Sequence, residues 1–259
     1  MPVSRKAALK VLGLAGGGFF VARCGGSGGA STPIATATSS SAALATATAA
    51  ATGACAVTPE GEIGPYFTDD SASGYNRSNI VANLDGTQVQ TGVPFALTVF
   101  VRDSENGCAL LTGAQVDIWH CNASGVYSNE SSESTSPDQW LRGYQLTNSA
   151  GSVTFGTILP GWYAGRTTHI HLRVRSSYSE ASSTTDGTNT TQVFFDQTLI
   201  DSLSTSVSPY SAEGVNPTTN SGDRVYATQT LGENLLSLSG SIVAGYTATF
   251  TVDLPITTE

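Results

Sequence analysis

Charged side chains are scarce in this sequence. They make up 12 % of its 259 residues, and Ser, Thr and Gly take their place. A composition low in charge and rich in Thr, Ser, Val and Tyr is typical of β-rich extracellular proteins rather than of cytosolic helical enzymes. Basic residues are in the minority, with 11 Lys and Arg against 20 Asp and Glu and a formal net charge of −9. Because an acidic surface repels phosphate backbones, nucleic acid is not expected as a partner.

Long apolar runs are also lacking. The run that stands out, residues 11–22, is too short to cross a bilayer, so no membrane span is predicted. It follows a basic stretch with Arg5, Lys6 and Lys10, and this order is the pattern of an export signal. The start resembles a twin-arginine signal with Lys6 in place of the second arginine, and an ordinary secretory signal is the alternative. Residues 1–24 are therefore interpreted as an export signal, which predicts a periplasmic, cell-surface or extracellular protein.

Cysteine is limited to four residues. Cys24 ends the signal as a lipoprotein cysteine would, but Arg23 occupies a position where a small residue is expected, which makes a lipid anchor doubtful. Exported proteins can form disulfides, and Cys55 and Cys108, both in loop-like contexts, are the favoured pair. Cys121 follows an apolar strand, where an unpaired cysteine can pack as a small buried residue. The sequence alone leaves this pairing open.

Residues 25–54 contain no charged and no aromatic side chain. Nothing in this Gly, Ser, Thr and Ala segment can build a core, so it is interpreted as a flexible linker. A helix over its Ala-rich part is the alternative, and the many Thr and Ser residues weaken it. The composition changes at Cys55, and residues 55–259 are predicted to form one globular domain.

This domain shows short runs of alternating apolar and polar residues, separated by Gly, Asn, Asp and Pro. Such spacing predicts a mostly β fold, a single antiparallel β-sandwich with long loops. Residues 200–223 lack periodicity and are predicted to be a surface loop with one helical turn. The predicted strands cover residues 95–101, 114–120, 152–158, 169–174, 191–195, 225–230 and 246–254.

Only three histidines exist, and two of them are His169 and His171. Residues two apart in a strand point to the same face, about 6–7 Å apart. The opposite face of this strand carries aliphatic residues that suit a core, so both imidazoles are predicted to face one cavity, where they can reach a single metal ion. The alternative is a pair of surface or hydrogen-bonded histidines. His120 lies on the face of its strand that also carries Val116 and Ile118, which indicates a packed histidine.

Two tyrosines precede the histidine pair in turn contexts. Tyr163 lies in a Gly-punctuated turn that leads into the histidine strand, together with Arg166. Tyr127 follows a strand and the turn at residues 122–125. Each tyrosine taken alone is better explained as a structural aromatic residue.

Taken together, these segments resemble the intradiol ring-cleavage dioxygenases, the catechol and protocatechuate type. The segments occur in the order of that family and extend over residues 55–226. They are Thr58-Pro59-Glu60, Gly64-Pro65-Tyr66, Val116-Asp117-Ile118-Trp119-His120, Gly125-Val126-Tyr127-Ser128, Leu141-Arg142-Gly143, Pro160-Gly161-Trp162-Tyr163, Gly165-Arg166-Thr167-Thr168-His169-Ile170-His171 and Thr191-Gln192-Val193-Phe194-Phe195.

The resemblance implies one iron(III) ion held by two tyrosinates and two histidines. It further implies a small aromatic diol and dioxygen as substrates, with the ring cleaved between the hydroxyl-bearing carbons to give a muconate-type diacid. The catalytic residues would be Tyr163, which takes up a substrate proton, Arg166, which stabilises negative charge on the ring, and Gln192, which supports that arginine. Tyr66 and Trp162 would line the substrate pocket. The metal ligands implied are Tyr127, Tyr163, His169 and His171.

The chain departs from the catechol-type members in two places. The insertion that some of them carry between the second tyrosine and the histidines is absent, and the linker replaces their N-terminal helical dimerisation region. The choice of catechol and the oligomeric state therefore stay open. Two alternatives stand beside this interpretation. One is a non-catalytic secreted β-sandwich binding module; the other is the same cage with zinc or copper, which phenolate donors disfavour.

Overall fold

Nine strands form two sheets in the computed structural model, which describes residues 55–68, 74–176, 188–228 and 234–256. In chain order the strands are β1 (Pro94–Asp103), β2 (Ala109–Leu110), β3 (Gln115–Trp119), β4 (Arg142–Leu146), β5 (Ser152–Ile158), β6 (His169–Arg175), β7 (Thr188–Phe194), β8 (Ser239–Ser241) and β9 (Gly245–Leu254). Two α-helices, α1 (Gln197–Ser206) and α2 (Arg224–Thr228), follow β7. Three 3-10 turns cover Ser131–Glu133, Tyr210–Ala212 and Asn220–Gly222.

The two sheets pack as a sandwich around one apolar core. In the first sheet β1 is central and pairs with β9, β5 and β2, while β8 pairs with β9. The second sheet has the order β4-β3-β6-β7. Every second residue of β1 is buried, from Phe95 to Asp103, which is the pattern of a strand with one face on the core. The mostly β sandwich predicted from the alternating runs is confirmed.

The prediction of an entirely antiparallel sandwich is wrong in one place. β1 and β9 run parallel, with Phe95 opposite Tyr246 and Asp103 opposite Leu254. Parallel neighbours need a long connection between them, and here the whole second sheet and both helices lie between the two strands in the sequence. Alternation within a strand records which face is buried and carries no information about the direction of its neighbour.

The strands predicted around residues 95–101, 114–120, 152–158, 169–174, 191–195 and 246–254 are all present, with ends shifted by up to three residues. The strand predicted at residues 225–230 is wrong, since the described part of this segment belongs to α2. The carboxylate of Asp223 accepts hydrogen bonds from the amides of Val225 and Tyr226 and so begins a helix there. The loop predicted at residues 200–223 instead contains most of α1, which Asp196 caps, and two 3-10 turns.

The second sheet is buried on both faces. All five residues of β3 are buried, and so are six of the seven residues of β6. The inner face packs on the first sheet, whereas the segment of residues 55–68 crosses the outer face. The amide of Gly61 donates to the carbonyl of Thr190, and the side chain of Gln192 donates to the carbonyl of Glu62. This segment therefore encloses the outward-facing side chains of β6 and β7.

A disulfide joins Cys55 to Cys108 with a Cα–Cα distance of 5.8 Å, which confirms the favoured pair. Cys121 is free and buried. The predicted export signal (1–24) and linker (25–54) lie outside the described residues. No helix of the described part of the chain has the length and apolar character needed to cross a membrane.

Candidate metal centre

Strand register aligns four buried polar and aromatic side chains in one row across the second sheet. Trp119 lies opposite Arg142 on one side and His171 on the other, and His171 lies opposite Gln192. Directly opposed residues of neighbouring strands point to the same face. All four side chains therefore project from the outer face, away from the apolar core, and the indole of Trp119 stacks on the imidazole of His171 at 4.8 Å.

The two histidines of β6 face each other on this outer face. The Nε2 atoms of His169 and His171 are 3.1 Å apart. The other ring nitrogen of His169, Nδ1, lies 2.6 Å from the carbonyl of Thr167 and donates its proton to it, so Nε2 carries a lone pair. Gly64 lies against the ring of His171, where a Cβ atom would come within 3.1 Å of Cε1. Both imidazoles are held in place by backbone or ring neighbours.

The two tyrosines approach the same point from loops outside the sheet. The hydroxyl of Tyr163 lies 3.4 Å from Nε2 of His169. The ring of Tyr127 lies edge-on to Tyr163 at 5.7 Å and to His171 at 6.4 Å. Tyr127 is 2 % exposed, and its hydroxyl oxygen is a buried polar atom without a hydrogen-bond partner among the described residues. Such an atom needs a partner, because burying it unsatisfied is costly.

Two glycines allow the tyrosine loops to meet backbone to backbone. A Cβ atom on Gly161 would lie 2.3 Å from the carbonyl oxygen of Ala123, and one on Gly125 would lie 2.1 Å from that of Trp162. The amide of Gly161 donates to the carbonyl of Asn122 over 3.0 Å. This contact fixes the spacing between the loop that carries Tyr127 and the loop that carries Tyr163.

Arg142 connects the loop of Tyr127 to the segment that carries Tyr66 through hydrogen bonds. It is 1 % exposed, and it donates to the hydroxyl and the carbonyl of Ser128. Its third nitrogen donates to the carbonyl of Tyr66 over 3.2 Å and to the hydroxyl of Thr68 over 3.1 Å. In the sequence Arg142 stood out only as part of a motif and had no predicted role. A single arginine in a sequence shows no sign of burial, so only the folded chain reveals this function.

Burial determines the protonation of the four candidate ligands. Burial and then the charge of Arg166 lower the pKa of His169 to about 3, and burial holds the pKa of His171 well below its ordinary value. Burial raises the pKa of Tyr163 to about 12, against the opposing charge of Arg166, and raises that of Tyr127 well above its usual range. At neutral pH the two imidazoles are therefore uncharged, the state in which histidine binds a metal ion. The phenols ionise only if a cation replaces their protons.

The donor set fits one hard, highly charged cation. Two neutral imidazoles and two phenol oxygens lie together, and one of these oxygens is a buried hydroxyl without a partner among the described residues. The described residues contain no group of three or more His, Cys, Asp and Glu side chains suited to a metal ion. The candidate metal ligands are therefore a mixture of histidine and tyrosine side chains. Phenolate oxygens favour a hard ion over zinc or copper(I). The assignment of these four residues as ligands stays a prediction.

Arg166 lies at the edge of this group. One of its terminal nitrogens, Nη1, is 3.5 Å from Nε2 of His169, and the other, Nη2, donates to Oε1 of Gln192 over 2.5 Å. Its Nε donates to the carboxylate of Asp223 over 2.8 Å. The resemblance to the family implied that Gln192 supports Arg166, and nothing in the sequence pointed to Asp223. In the sequence, Asp223 is simply an acidic residue between a loop and the start of a helix. Such residues are too common for a role to be assigned to one of them.

The two predicted pocket residues occupy different positions. The ring of Tyr66 stacks on Tyr127 at 4.2 Å and meets Tyr163 edge-on at 5.7 Å, so it forms a wall beside the candidate ligands. The indole of Trp162 donates to the carbonyl of Gly214 over 3.0 Å and is half-buried. This hydrogen bond anchors the loop after α1 beside the loop of Tyr163. A role of either residue in substrate binding stays a prediction.

Known proteins share sequence segments with this chain. A protein-family model described as Dioxygenase matches residues 63–209, more than half of the chain. Over 134 residues the chain is 31 % identical to catechol 1,2-dioxygenase of Candida albicans, a match that covers 43 % of this chain and 41 % of that enzyme. The chain therefore spans less than half the length of this curated relative.

Solved structures resemble the chain over a larger part of its length. An intradiol ring-cleavage dioxygenase from Tetranychus urticae is 27 % identical with a TM-score of 0.64, covering 78 % of this chain and 95 % of that one. The dioxygenase domain of a dioxygenase and carbohydrate-binding protein fusion from Streptomyces sp. SirexAA-E is 26 % identical with a TM-score of 0.54. That match covers 78 % of this chain and 100 % of the other. Both are similar in fold over most of the described residues.

Proposed function

The chain belongs to the intradiol ring-cleavage dioxygenase family, and on that premise we propose that it opens the ring of catechol-type aromatics with dioxygen. The ring is cleaved between the two hydroxyl-bearing carbons, both oxygen atoms enter the product, and the product is a muconate-type diacid. Iron(III), the metal typical of the family, is proposed as the cofactor. Tyr127, Tyr163, His169 and His171 are proposed as the residues that hold it.

One observation carries this proposal: two neutral imidazoles, one buried phenol and one half-buried phenol lie together on the outer face of the second sheet. The Nε2 atoms of His169 and His171 lie 3.1 Å apart, the hydroxyl of Tyr163 lies 3.4 Å from the first of them, and the buried hydroxyl of Tyr127 has no partner among the described residues. A non-catalytic binding module gives no reason for this arrangement. A hard trivalent ion would satisfy all four groups and would give the buried hydroxyl of Tyr127 a partner.

Each residue near the centre has a distinct proposed task. When bound, iron(III) supplies a Lewis acid that withdraws electron density from the ring and prepares it for dioxygen. Tyr163, which is less buried than Tyr127, is positioned to accept a proton from a substrate hydroxyl. Arg166 directs Nη1 towards the same point and can stabilise negative charge that develops on the ring. Tyr66 provides a flat wall against which an aromatic ring can lie.

Export of the protein is a further part of the proposal. Residues 1–24 carry a basic start and a short apolar run, the pattern of a twin-arginine-like or secretory signal. The disulfide between Cys55 and Cys108 suits an oxidising compartment. Small aromatic diols outside the cytoplasm are therefore the proposed substrates.

The proposal is tested on the full chain purified with iron. We expect a visible tyrosinate-to-iron(III) charge-transfer band and ring-opened diacids from a panel of catechols. Removal of the metal with a chelator should abolish both, and iron should restore both whereas zinc should not. A protein that stays colourless and free of iron after iron supplementation would contradict the proposal and leave the binding-module interpretation.

A substitution separates the role of Tyr163 from general effects on the protein. Tyr163→Phe should alter the charge-transfer band and lower turnover at least about 100-fold, the scale of a lost proton acceptor. Tyr246→Phe, the same chemical change in β9 of the first sheet, is the matched control and should leave the band and turnover as in the wild type. Unchanged absorption and turnover in Tyr163→Phe would refute the assignment of this residue.

A further inference from the structure

The carboxylate of Asp223 is completely enclosed, and its side chain is 0 % exposed. One oxygen, Oδ2, accepts from Nε of Arg166 and from the amide of Thr167, both over 2.8 Å. The other oxygen, Oδ1, accepts from the amide of Val225 over 2.8 Å and from that of Tyr226 over 3.0 Å. Four donors therefore converge on one buried carboxylate, and two of them belong to the loop that leads into β6.

The guanidinium of Arg166 is fixed on two of its sides. Asp223 holds Nε, and Gln192 holds Nη2 over 2.5 Å. Gln192 is itself fixed, because its amide nitrogen donates to the carbonyl of Glu62 over 2.8 Å. The third nitrogen, Nη1, is the one directed towards the candidate metal ligands, 3.5 Å from Nε2 of His169. A planar guanidinium held at two corners can present its third corner in only one orientation.

We propose that Asp223 is a positioning residue for ring cleavage: it orients Arg166 towards the substrate and offsets its positive charge beside the metal centre. This inference rests on the proposed function and adds a residue to it. Asp223 does not touch the candidate ligands and orients the site through Arg166. It is attached to the second sheet through α2, since the ring of Tyr226 packs edge-on against Phe194 of β7 at 5.0 Å.

The negative charge of Asp223 contributes to its proposed role as well as its hydrogen bonds do. A trivalent cation repels a bare guanidinium a few ångströms away, and the repulsion is strong where water is excluded. Burial acts to raise the pKa of Asp223, but the hydrogen bonds from Arg166 and from backbone amides outweigh it and hold this pKa below its ordinary value. The carboxylate is therefore ionised at neutral pH, and together with Arg166 it forms a neutral pair that can still direct N–H groups at developing negative charge.

The test compares four forms of the full, iron-loaded chain: wild type, Asp223→Asn, Arg166→Lys and the double variant. An amide in place of the carboxylate cannot accept from all four donors, so Asp223→Asn should release Arg166. We expect kcat to fall about 10- to 100-fold, the usual effect of losing a residue that orients a neighbour in a metal site. Iron affinity should weaken, because the charge of Arg166 is no longer offset beside the ion. The dissociation constant of the iron-loaded variant for catechol, measured without dioxygen from the charge-transfer band, should change less than about threefold.

The double variant decides whether Asp223 acts through Arg166. Lysine cannot hold Asp223 and Gln192 together, so adding Asp223→Asn to Arg166→Lys should cost less than about threefold in kcat. Equal losses in both backgrounds, or an Asp223→Asn variant with wild-type kcat, would overturn the inference. Asp253→Asn is the matched control, because Asp253 forms a similar pair with Arg102 in the first sheet at 2.7 Å and should leave kcat and the band unchanged.

A second variant covers the case in which Asp223→Asn does not fold. Asp223→Ser keeps a hydroxyl that can cap α2 but removes the charge that holds Arg166, so it should show the same loss of kcat. Wild-type kcat in that variant would also overturn the inference. If the wild type shows neither the band nor ring-opened product, the proposed function fails first. If it shows both and the Asp223 variants match it, only the inference about Asp223 fails.

Discussion

The third histidine shows how a residue's neighbours determine its role. His120 is 1 % exposed; its Nδ1 donates to the carbonyl of Cys121, and its Nε2 accepts from the hydroxyl of Thr157, both over 2.8 Å. Both ring nitrogens are used, so neither is available to a metal ion. The packed, hydrogen-bonded histidine expected from its strand face is confirmed.

This residue should make stability depend on pH. Burial lowers the pKa of His120 from 6.5 to about 4. Between these two pKa values the unfolded chain binds a proton at His120 that the folded chain lacks. The contribution of His120 to the free energy of unfolding is therefore fully present above pH 6.5 and is lost as the pH falls towards 4. We expect His120 to contribute a loss of about 2 kcal/mol in the free energy of unfolding between pH 7 and pH 5. Urea unfolding of the metal-free full chain at both pH values measures it.

His120→Gln provides the comparison, since glutamine does not titrate. This variant should be less stable at every pH but should lose about 2 kcal/mol less than the wild type between pH 7 and pH 5. Metal-free protein is required because bound metal would add its own pH dependence. Parallel pH profiles for the two proteins would contradict the assignment of a buried neutral imidazole.

Single residues also mark the limit of sequence reasoning. The spacing of His169 and His171 predicted a shared face, and the structure has both on the outer face of β6. Arg142 and Asp223, which orient groups around them, carried no such signal. A charged residue in a sequence is most often solvated. Its burial is set by the loops that fold over it, and that depends on contacts between distant parts of the chain.

At the scale of elements, the two tyrosine loops act as one unit. They pack through the glycines at positions 125 and 161, whose Cβ positions are filled by backbone carbonyl groups. Tyr127 and Tyr163 lie two residues beyond these contacts. Any change in the distance between the loops should therefore change the distance between the two phenol oxygens.

Gly161→Ala should separate the loops. A Cβ atom there would lie 2.3 Å from the carbonyl oxygen of Ala123, so the backbone must move. We expect a loss of about 1–3 kcal/mol in the free energy of unfolding, the cost of overpacking, together with weaker iron binding and a shifted charge-transfer band. Gly156→Ala in β5 is the matched control, because its Cβ would meet only the carbonyl of Ser78 at 3.8 Å. Equal stability and iron affinity in the two variants would contradict this description of the loops.

Some strands and helices could be predicted from their sequences, and others could not. Strands with one face on the core, such as β1 and β5, were recognised from alternation. β4 was missed, because Arg142–Leu146 carries no alternation of apolar and polar residues. The segment that begins α2 has residues suited to a strand, but Asp223 caps it as a helix. Local propensity is weak for short segments, and a single tertiary contact can reverse it.

At the scale of the whole molecule, the segment of residues 55–68 closes the site. Its first residue, Cys55, is bound to Cys108 beyond the end of β1, and Tyr66 near its other end stacks on Tyr127. Between them, the carbonyl of Thr58 accepts from Asn189, and the amide of Thr58 donates to Asp253 of β9. The segment therefore connects both sheets with the candidate metal ligands.

Removal of the disulfide should loosen this segment. The two cysteines are 53 residues apart, a loop whose closure contributes about 4 kcal/mol in the chain-entropy model. The double variant Cys55→Ser with Cys108→Ser should lose about 2–4 kcal/mol in the free energy of unfolding by urea. Reductant should destabilise the wild type to a similar extent and leave the variant unaffected. Equal stability of wild type and variant under oxidising conditions would contradict a structural role for this bond.

Features that depend on short-range pattern could be predicted from the residues alone: the mostly β composition, six of the strands, the shared face of His169 and His171, and the ordered segments that resemble the family. Folding is needed to show which strands are parallel, how the two tyrosine loops meet, and that Arg142 and Asp223 are buried and orient their neighbours. The physical reason is that alternation depends on residues two apart, whereas the enclosure of a charge depends on segments far apart in the sequence that become neighbours only on folding.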